Sequence, residues 1–191
     1  MQEDSIFRIA SMTKAVTGVA VMILYEEGHF RLTDPISNYI PSFRNMEVVV
    51  EDSEVTANKD KDKAPEYDEK WLKENWDTLT EEQQAQVIAS YYKKGAAPEK
   101  AKTVPANRPI TIRDLLRHTA GMYSNPPEIW EPGYDLGQMI DSLASKPLRT
   151  HPGKEFEYGL SMDVLARLVE VVSGQPFDVF IKTRIFDPLG M

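Results

Sequence analysis

The sequence has 191 residues, of which 41% are hydrophobic and 27% charged, and its formal net charge is -8. This is an ordinary globular composition, and the acidic balance disfavours nucleic acid or another polyanion as a partner. There is no cysteine, which excludes disulfides, thiol nucleophiles and cysteine-ligated zinc. His29, His118 and His151 lie far apart and lack metal-ligand spacing, so we expect no metal or other cofactor.

The longest apolar run, residues 19–25, is far too short to cross a bilayer. The start, Met1-Gln2-Glu3-Asp4, is acidic where a signal peptide would need a basic region. We therefore expect a soluble chain without a transmembrane segment, and the sequence leaves its cellular location open.

The first predicted element is an amphipathic helix over residues 12–28, with apolar residues at three- and four-residue steps and Gly28 at its end. Ser11 stands at its start, in the positive field of the helix terminus, and Lys14 follows one turn later on the same face. Such a pair can form a nucleophile and its base. The same spacing also fits an N-cap serine followed by a solvated surface lysine.

Residues 47–102 are rich in charges of both signs and largely lack apolar periodicity. This composition predicts a solvent-exposed insertion with a loosely held tip. Within it, a capping-box pattern at residues 80–83 predicts a helix that continues to residue 94. Ser90 and Lys93 repeat the serine–lysine spacing, but they lie near the C-terminal end of that helix and are interpreted as surface residues.

The remaining sequence is predicted to be mainly helical, because almost nothing alternates as a strand would. An extended segment over residues 151–160 interrupts the helices. The helices are a short capped one from Thr111 to a turn at 118–121, one over residues 135–145, one from Ser161 to Gly174, and one beginning near Pro176. His118 is predicted to be structural, since an imidazole at a helix end can bond the last carbonyls.

Four segments, in this order, carry a family resemblance: Phe7-Arg8-Ile9-Ala10-Ser11-Met12-Thr13-Lys14, Leu115-Leu116-Arg117-His118-Thr119-Ala120-Gly121-Met122, Pro152-Gly153-Lys154-Glu155-Phe156-Glu157-Tyr158, and the stretch from Asp163 to Phe186-Asp187-Pro188-Leu189-Gly190-Met191. They resemble the serine hydrolases of the β-lactamase and penicillin-binding-protein superfamily. The branch is that of class C β-lactamases, DD-peptidases and related esterases. The resemblance covers residues 5–46 and 103–191.

The resemblance implies an α/β fold of two subdomains, like that of β-lactamases and penicillin-binding proteins. This chain would supply mainly the helical subdomain and lack most of the antiparallel sheet. Residues 1–191 would form one partial domain, with the insertion at residues 47–102. The sheet-facing surface of the first helix should then be exposed, and a complementary chain or self-association would cover it.

By position, the resemblance makes Ser11 the acylated nucleophile, Lys14 the base, and Tyr158 the tyrosine of the second motif, which shares proton transfer with the lysine. The implied reaction is acyl transfer through an acyl-enzyme on a small ester or amide, with an oxyanion hole that includes the Ser11 N–H. Three triplets resemble family motifs but lie at the wrong place in the family order or on a helix. They are Tyr123-Ser124-Asn125 for Tyr-x-Asn, His151-Pro152-Gly153 for His-x-Gly, and Lys182-Thr183-Arg184 for Lys-Thr-Gly.

Two departures from the family pattern matter. Leu160 replaces the asparagine that contacts the substrate amide in β-lactamases and peptidases, which favours an esterase over an enzyme for β-lactams or D-Ala peptides. The third motif, which the family carries after the position of Met191, is absent. The alternative is a truncated, non-catalytic helical domain that folds or associates without turnover. Family members are often exported, whereas the acidic start leads us to expect no signal peptide in this sequence.

Overall fold

The computed structural model describes residues 7, 9–50, 69–80, 83, 84, 87, 101–123 and 133–191. Within these ranges the α-helices are α1 (Thr13–Glu26), α2 (Glu69–Asn75), α3 (Ile112–Leu116), α4 (Leu136–Ala144), α5 (Ser161–Ser173), α6 (Phe177–Ile181) and α7 (Asp187–Leu189). Short 3-10 turns span Ala10–Met12, Ile36–Asn38, Pro41–Phe43 and Trp76–Thr78, and a π turn spans Lys182–Phe186. The mainly helical architecture expected from the sequence is confirmed for this part of the chain.

Helix α5 is the centre of the packing, and α1, α3, α4 and α6 all contact it. Its buried positions recur every three to four residues, at Val164, Leu165, Leu168 and Val169. Gly174 ends the helix in the left-handed conformation, at φ 70°, as the sequence predicted. The segment that precedes α5 therefore leads directly into the central helix of the packing.

Helix α1 packs on α5 through one face, where Ala20, Val21 and Leu24 are buried. Its end also follows the prediction, because Gly28 has a φ of 82° directly after the last turn. The other face is uncovered: Val19 is 50% exposed, and Met12, in the turn directly before the helix, is 70% exposed. This is the exposed apolar surface that was expected on the first helix.

Two short strands pair in an antiparallel ladder, β1 (Glu47–Val49) with β2 (Thr103–Pro105), and Val48 lies opposite Val104. The sequence did not predict this ladder, because three residues are too few to show a reliable alternation. The strands mark the two ends of the predicted insertion.

Inside the insertion, the capping box is present: the Thr80 N–H donates to Gln83 Oε1 over 2.9 Å, and the Gln83 N–H donates to Thr80 Oγ1 over 3.3 Å. The predicted end of this helix at residue 94 lies outside the described residues, as does the Ser90–Lys93 pair. No helix in the described ranges is long and apolar enough to cross a membrane.

Candidate active site

Ser11 lies in the 3-10 turn Ala10–Met12, which runs directly into α1. Neither this turn nor α1 is capped by a side chain, so the N-cap interpretation of Ser11 is wrong. Its exposed hydroxyl instead accepts a hydrogen bond from the hydroxyl of Tyr158, with 2.9 Å between the oxygens. A serine in this position is both accessible and oriented by a second side chain.

Lys14 lies one turn beyond Ser11 and is half-buried. Its Nζ lies 4.9 Å from the centroid of the Tyr158 ring, within the range of a cation–π contact. The surface-lysine interpretation is therefore also wrong. The structure brings together all three side chains predicted for the site.

Tyr158 is 50% exposed and lies in the extended segment before α5. The pKa of its phenol is lowered, chiefly by hydrogen bonding to Ser11 and then by hydrogen bonding to Lys14 and by the Lys14 charge. The charge of Asp163 acts in the opposite direction and raises this pKa. The net effect makes the phenolate, which can accept the serine proton, easier to form than in an isolated tyrosine.

The Tyr158 segment is held by the turn that follows α3. Four backbone hydrogen bonds join them: Glu157 N–H to the His118 carbonyl over 2.8 Å, Gly153 N–H to the Thr119 carbonyl over 2.7 Å, and the N–H groups of residues 149 and 150 to the Gly121 carbonyl over 2.7 and 3.4 Å. Gly121 has a φ of 81°, and a Cβ there would overlap the carbonyl oxygen of Thr150. Glycine is therefore required for the close approach of the two segments.

A buried carboxylate anchors the start of α3. Asp114 accepts two hydrogen bonds from the Arg108 guanidinium, at 2.6 and 2.9 Å, and further ones from the N–H and hydroxyl of Thr111. The Thr111–Asp114 capping box confirms the predicted helix start. Burial opposes ionisation of Asp114, but the hydrogen bonds from Arg108 and Thr111 outweigh it and keep the pKa below its ordinary value.

His118 belongs to the site in a way the sequence did not predict. Its ring stacks on Tyr158, with centroids 5.1 Å apart and planes 27° apart, and also contacts Phe156. Its Nδ1 has no hydrogen-bond partner among the described residues, so the expected bond from this nitrogen to a helix carbonyl is absent. Phe156 and Tyr158 are two positions apart in an extended segment, so their side chains lie on the same face. This spacing is the one sequence signal for the aromatic cluster around His118.

Asp163, in the first turn of α5, is the second unpredicted member of the site. Burial raises the pKa of its carboxyl, while the Lys14 charge acts to lower it. The charges of Asp163 and Lys14 therefore act on each other. Within the described ranges, no three His, Asp or Glu side chains are grouped in a way that could hold a metal ion.

Leu160, the residue that departs from the family pattern, is 7% exposed and belongs to the hydrophobic core. Its side chain offers no hydrogen-bond donor or acceptor. It therefore cannot hold a substrate amide by hydrogen bonds.

The Beta-lactamase family model matches residues 1–191. Esterase EstB from Burkholderia gladioli is 26% identical over 205 residues, and lovastatin esterase from Penicillium rubens is 25% identical over 200 residues. Each alignment covers 100% of this chain, with 38% of EstB and 39% of lovastatin esterase. The chain thus spans about two fifths of the length of these relatives.

Among solved structures, unliganded simvastatin synthase (LovD) from Aspergillus terreus matches with a TM-score of 0.62 at 21% identity, over 100% of this chain and 39% of that one. This match confirms the expected fold, with mainly its helical part present here. Taken with the family match over the whole sequence, it shows that the chain belongs to the Beta-lactamase family.

Proposed function

We propose that this chain carries the nucleophile-bearing part of a serine acyl hydrolase that acts on small esters. The observation that carries the proposal is the 2.9 Å hydrogen bond between Tyr158 and Ser11, with Lys14 beside the same tyrosine ring. A serine hydroxyl is a weak nucleophile near neutral pH, and a neighbouring base is the usual way to activate it.

In the proposed reaction, Ser11 Oγ attacks the carbonyl carbon of the ester while its proton passes to the Tyr158–Lys14 pair. The tetrahedral intermediate collapses, the C–O bond to the alcohol breaks, and the alcohol leaves with that proton. Water then attacks the acyl group on Ser11, regenerates the hydroxyl and releases the acid. No redox partner or metal is needed for this balance.

The preference for esters is supported by Leu160 and by two relatives. The buried Leu160 leaves no amide-binding side chain at the position where the family's β-lactamases and peptidases have one. Relatives whose names state an esterase align over the whole chain. Hydrolysis of p-nitrophenyl butyrate should therefore exceed that of nitrocefin, and faster nitrocefin turnover would contradict the preference.

The test of the nucleophile is covalent labelling. The 191-residue chain is incubated with a fluorescent fluorophosphonate, in which the serine oxygen displaces fluoride, and the adduct is mapped by peptide mass spectrometry. We expect one adduct, on Ser11, and none in Ser11→Ala. Ser145→Ala is the matched control, since that hydroxyl is exposed and donates to the Ser142 carbonyl over 2.7 Å. An unlabelled wild-type chain would reject activity of this chain alone.

The second candidate is a helical domain that associates without turnover, and the exposed face of α1 favours it. Met12 at 70% and Val19 at 50% exposure leave an apolar strip that a complementary chain or a second copy would cover. Sedimentation velocity decides this. Concentration-dependent association that Val19→Lys abolishes, in a chain that is never acylated, would support the second candidate over the first.

A further inference from the structure

His118 has features that its place at the end of α3 does not explain. It is 8% exposed, and its backbone is left-handed, with a φ of 53°. Asparagine or glycine adopts this conformation more readily after a helix. Ending the helix therefore does not require an imidazole at this position, and the Nδ1 of this one has no hydrogen-bond partner among the described residues. The reason must lie in what the ring contacts.

The ring lies against two aromatic side chains of one segment. Its centroid is 5.1 Å from that of Tyr158, at 27° between planes, and 5.8 Å from that of Phe156, at 60°. The first geometry is stacked and the second tilted. Both distances fall in the range where ring pairs attract beyond their burial. The ring of the tyrosine that bonds Ser11 is therefore stacked against the imidazole.

The main chain of His118 acts on the same segment as its side chain. Its carbonyl accepts the N–H of Glu157, the residue directly before Tyr158, over 2.8 Å. One residue thus restrains both the backbone that leads into the tyrosine and the tyrosine ring. Two such restraints leave the phenol few orientations other than the one toward Ser11.

We propose that His118 is a positioning residue for the acyl transfer, whose ring holds the phenol of Tyr158 on Ser11 without itself carrying a proton. This inference rests on the proposed function and adds a further residue to the same site. It assigns to the imidazole a purely geometric role.

The electrostatic surroundings agree with that role. Burial, and then the charge of Lys14, lower the pKa of the His118 imidazole, so the ring is uncharged at neutral pH. The titratable groups next to it are Tyr158, on which it stacks, and Lys14 from α1, whose charge acts on the ring; Asp163 from α5 interacts electrostatically with both of these. An uncharged ring stacks beside the lysine without repelling it. A proton carrier would instead need a polar partner at Nδ1, and none of the described residues provides one.

The test compares two substitutions that separate the ring from the imidazole chemistry. His118→Asn suits the left-handed backbone but removes the ring, whereas His118→Phe keeps a ring that cannot carry a proton. In His118→Asn we expect the ring-current shift on Tyr158 to vanish, seen by NMR of ring-labelled tyrosine and assigned with Tyr158→Phe. Acylation of Ser11 by the fluorophosphonate should slow about 10²-fold through the rate constant rather than through binding. His118→Phe should retain most of the rate.

His29→Asn is the matched control, because His29 is exposed and pairs with Glu27. Unchanged Tyr158 resonances in His118→Asn would overturn the inference. So would a His118→Phe variant that acylates as slowly as His118→Asn while its Tyr158 resonances still show the ring-current shift of a stacked ring. If His118→Asn does not fold, His118→Phe decides alone. Retention of most of the acylation rate with an unchanged pH profile supports the inference, and a slow rate or a shifted profile contradicts it. The NMR signals do not depend on turnover, so failure of the proposed function is recognised separately.

Discussion

Tyr158 and Ser11 are 147 positions apart in the sequence, yet their hydroxyl oxygens are 2.9 Å apart. Three parts of the fold produce this contact. The turn before α1 presents Ser11, the segment before α5 presents Tyr158, and the turn after α3 fixes that segment through the His118 carbonyl. The contact therefore depends on the packing of α1 and α3 on α5 and not on local sequence.

Removal of the tyrosine hydroxyl should affect chemistry and leave folding intact. Tyr158→Phe should slow acylation by about 10²–10⁴-fold, the range of general acid–base contributions. The ring is 50% exposed and keeps its stacking on His118, so the thermal midpoint should not change. Stopped-flow acylation and thermal unfolding measure the two effects. Tyr134→Phe, an exposed tyrosine elsewhere, should change neither.

Substitution of the lysine should be visible in the titration of the tyrosine. Hydrogen bonding and charge from Lys14 help to lower the pKa of Tyr158, so Lys14→Gln should move that pKa up, toward the ordinary value of about 10. Ultraviolet difference titration measures it, after subtraction of Tyr158→Phe. Lys182→Gln, which removes a lysine bonded to Asp187, is the control. A Tyr158 pKa that does not rise in Lys14→Gln would contradict the assignment of the site.

Neutralising Asp163 should act in the opposite direction on the same phenol. The Asp163 charge raises the pKa of Tyr158, so Asp163→Asn should lower that pKa and shift the pH profile of acylation to lower pH. Burial raises the pKa of Asp163 itself, so its ionisation costs stability as the pH rises above its ordinary range near 4. Asp163→Asn should therefore raise the thermal midpoint at neutral pH and not in acid. An equal gain at both pH values would refute this origin.

Arg108→Ala should destabilise the turn that holds Tyr158. It leaves the Asp114 carboxylate buried without its two hydrogen bonds from Arg108. We expect the free energy of unfolding to fall by about 2–3 kcal/mol, a value that already allows for solvent screening of the 40% exposed Arg108 side chain. The folded pKa of Asp114 is lowered, so its contribution is present above its ordinary pKa and is lost as the pH falls.

Urea unfolding at pH 7 and at low pH tests this prediction. The difference between wild type and Arg108→Ala should shrink in acid, and a difference that grows there would be inconsistent with it. Arg113→Ala, an exposed arginine in α3, is the control.

Helix positions could be predicted well, because apolar periodicity and end residues act locally. Gly28, Gly174 and the Thr111 capping box each end or begin a helix as their conformational preferences require. The β1–β2 ladder could not be predicted, since its register depends on Leu148 and on residues more than fifty positions apart.

For the site, the spacing of Ser11 and Lys14 was ambiguous, and only the order of segments along the chain pointed to Tyr158. His118 and Asp163 were missed because stacking and burial are tertiary properties without a fixed sequence spacing. Their interactions join residues on different elements. No local pattern encodes which ring will face which, so the structure was needed to find them.

The β1–β2 ladder has a consequence for how this protein can be modified. Because Val49 lies opposite Thr103, the chain between them leaves and returns at one point, and Val50 and Lys102 are still bonded there. Lengthening or shortening the connection at such a base changes its closure entropy only slowly. The connection is therefore a suitable place to graft a reporter peptide or a binding module without touching the serine.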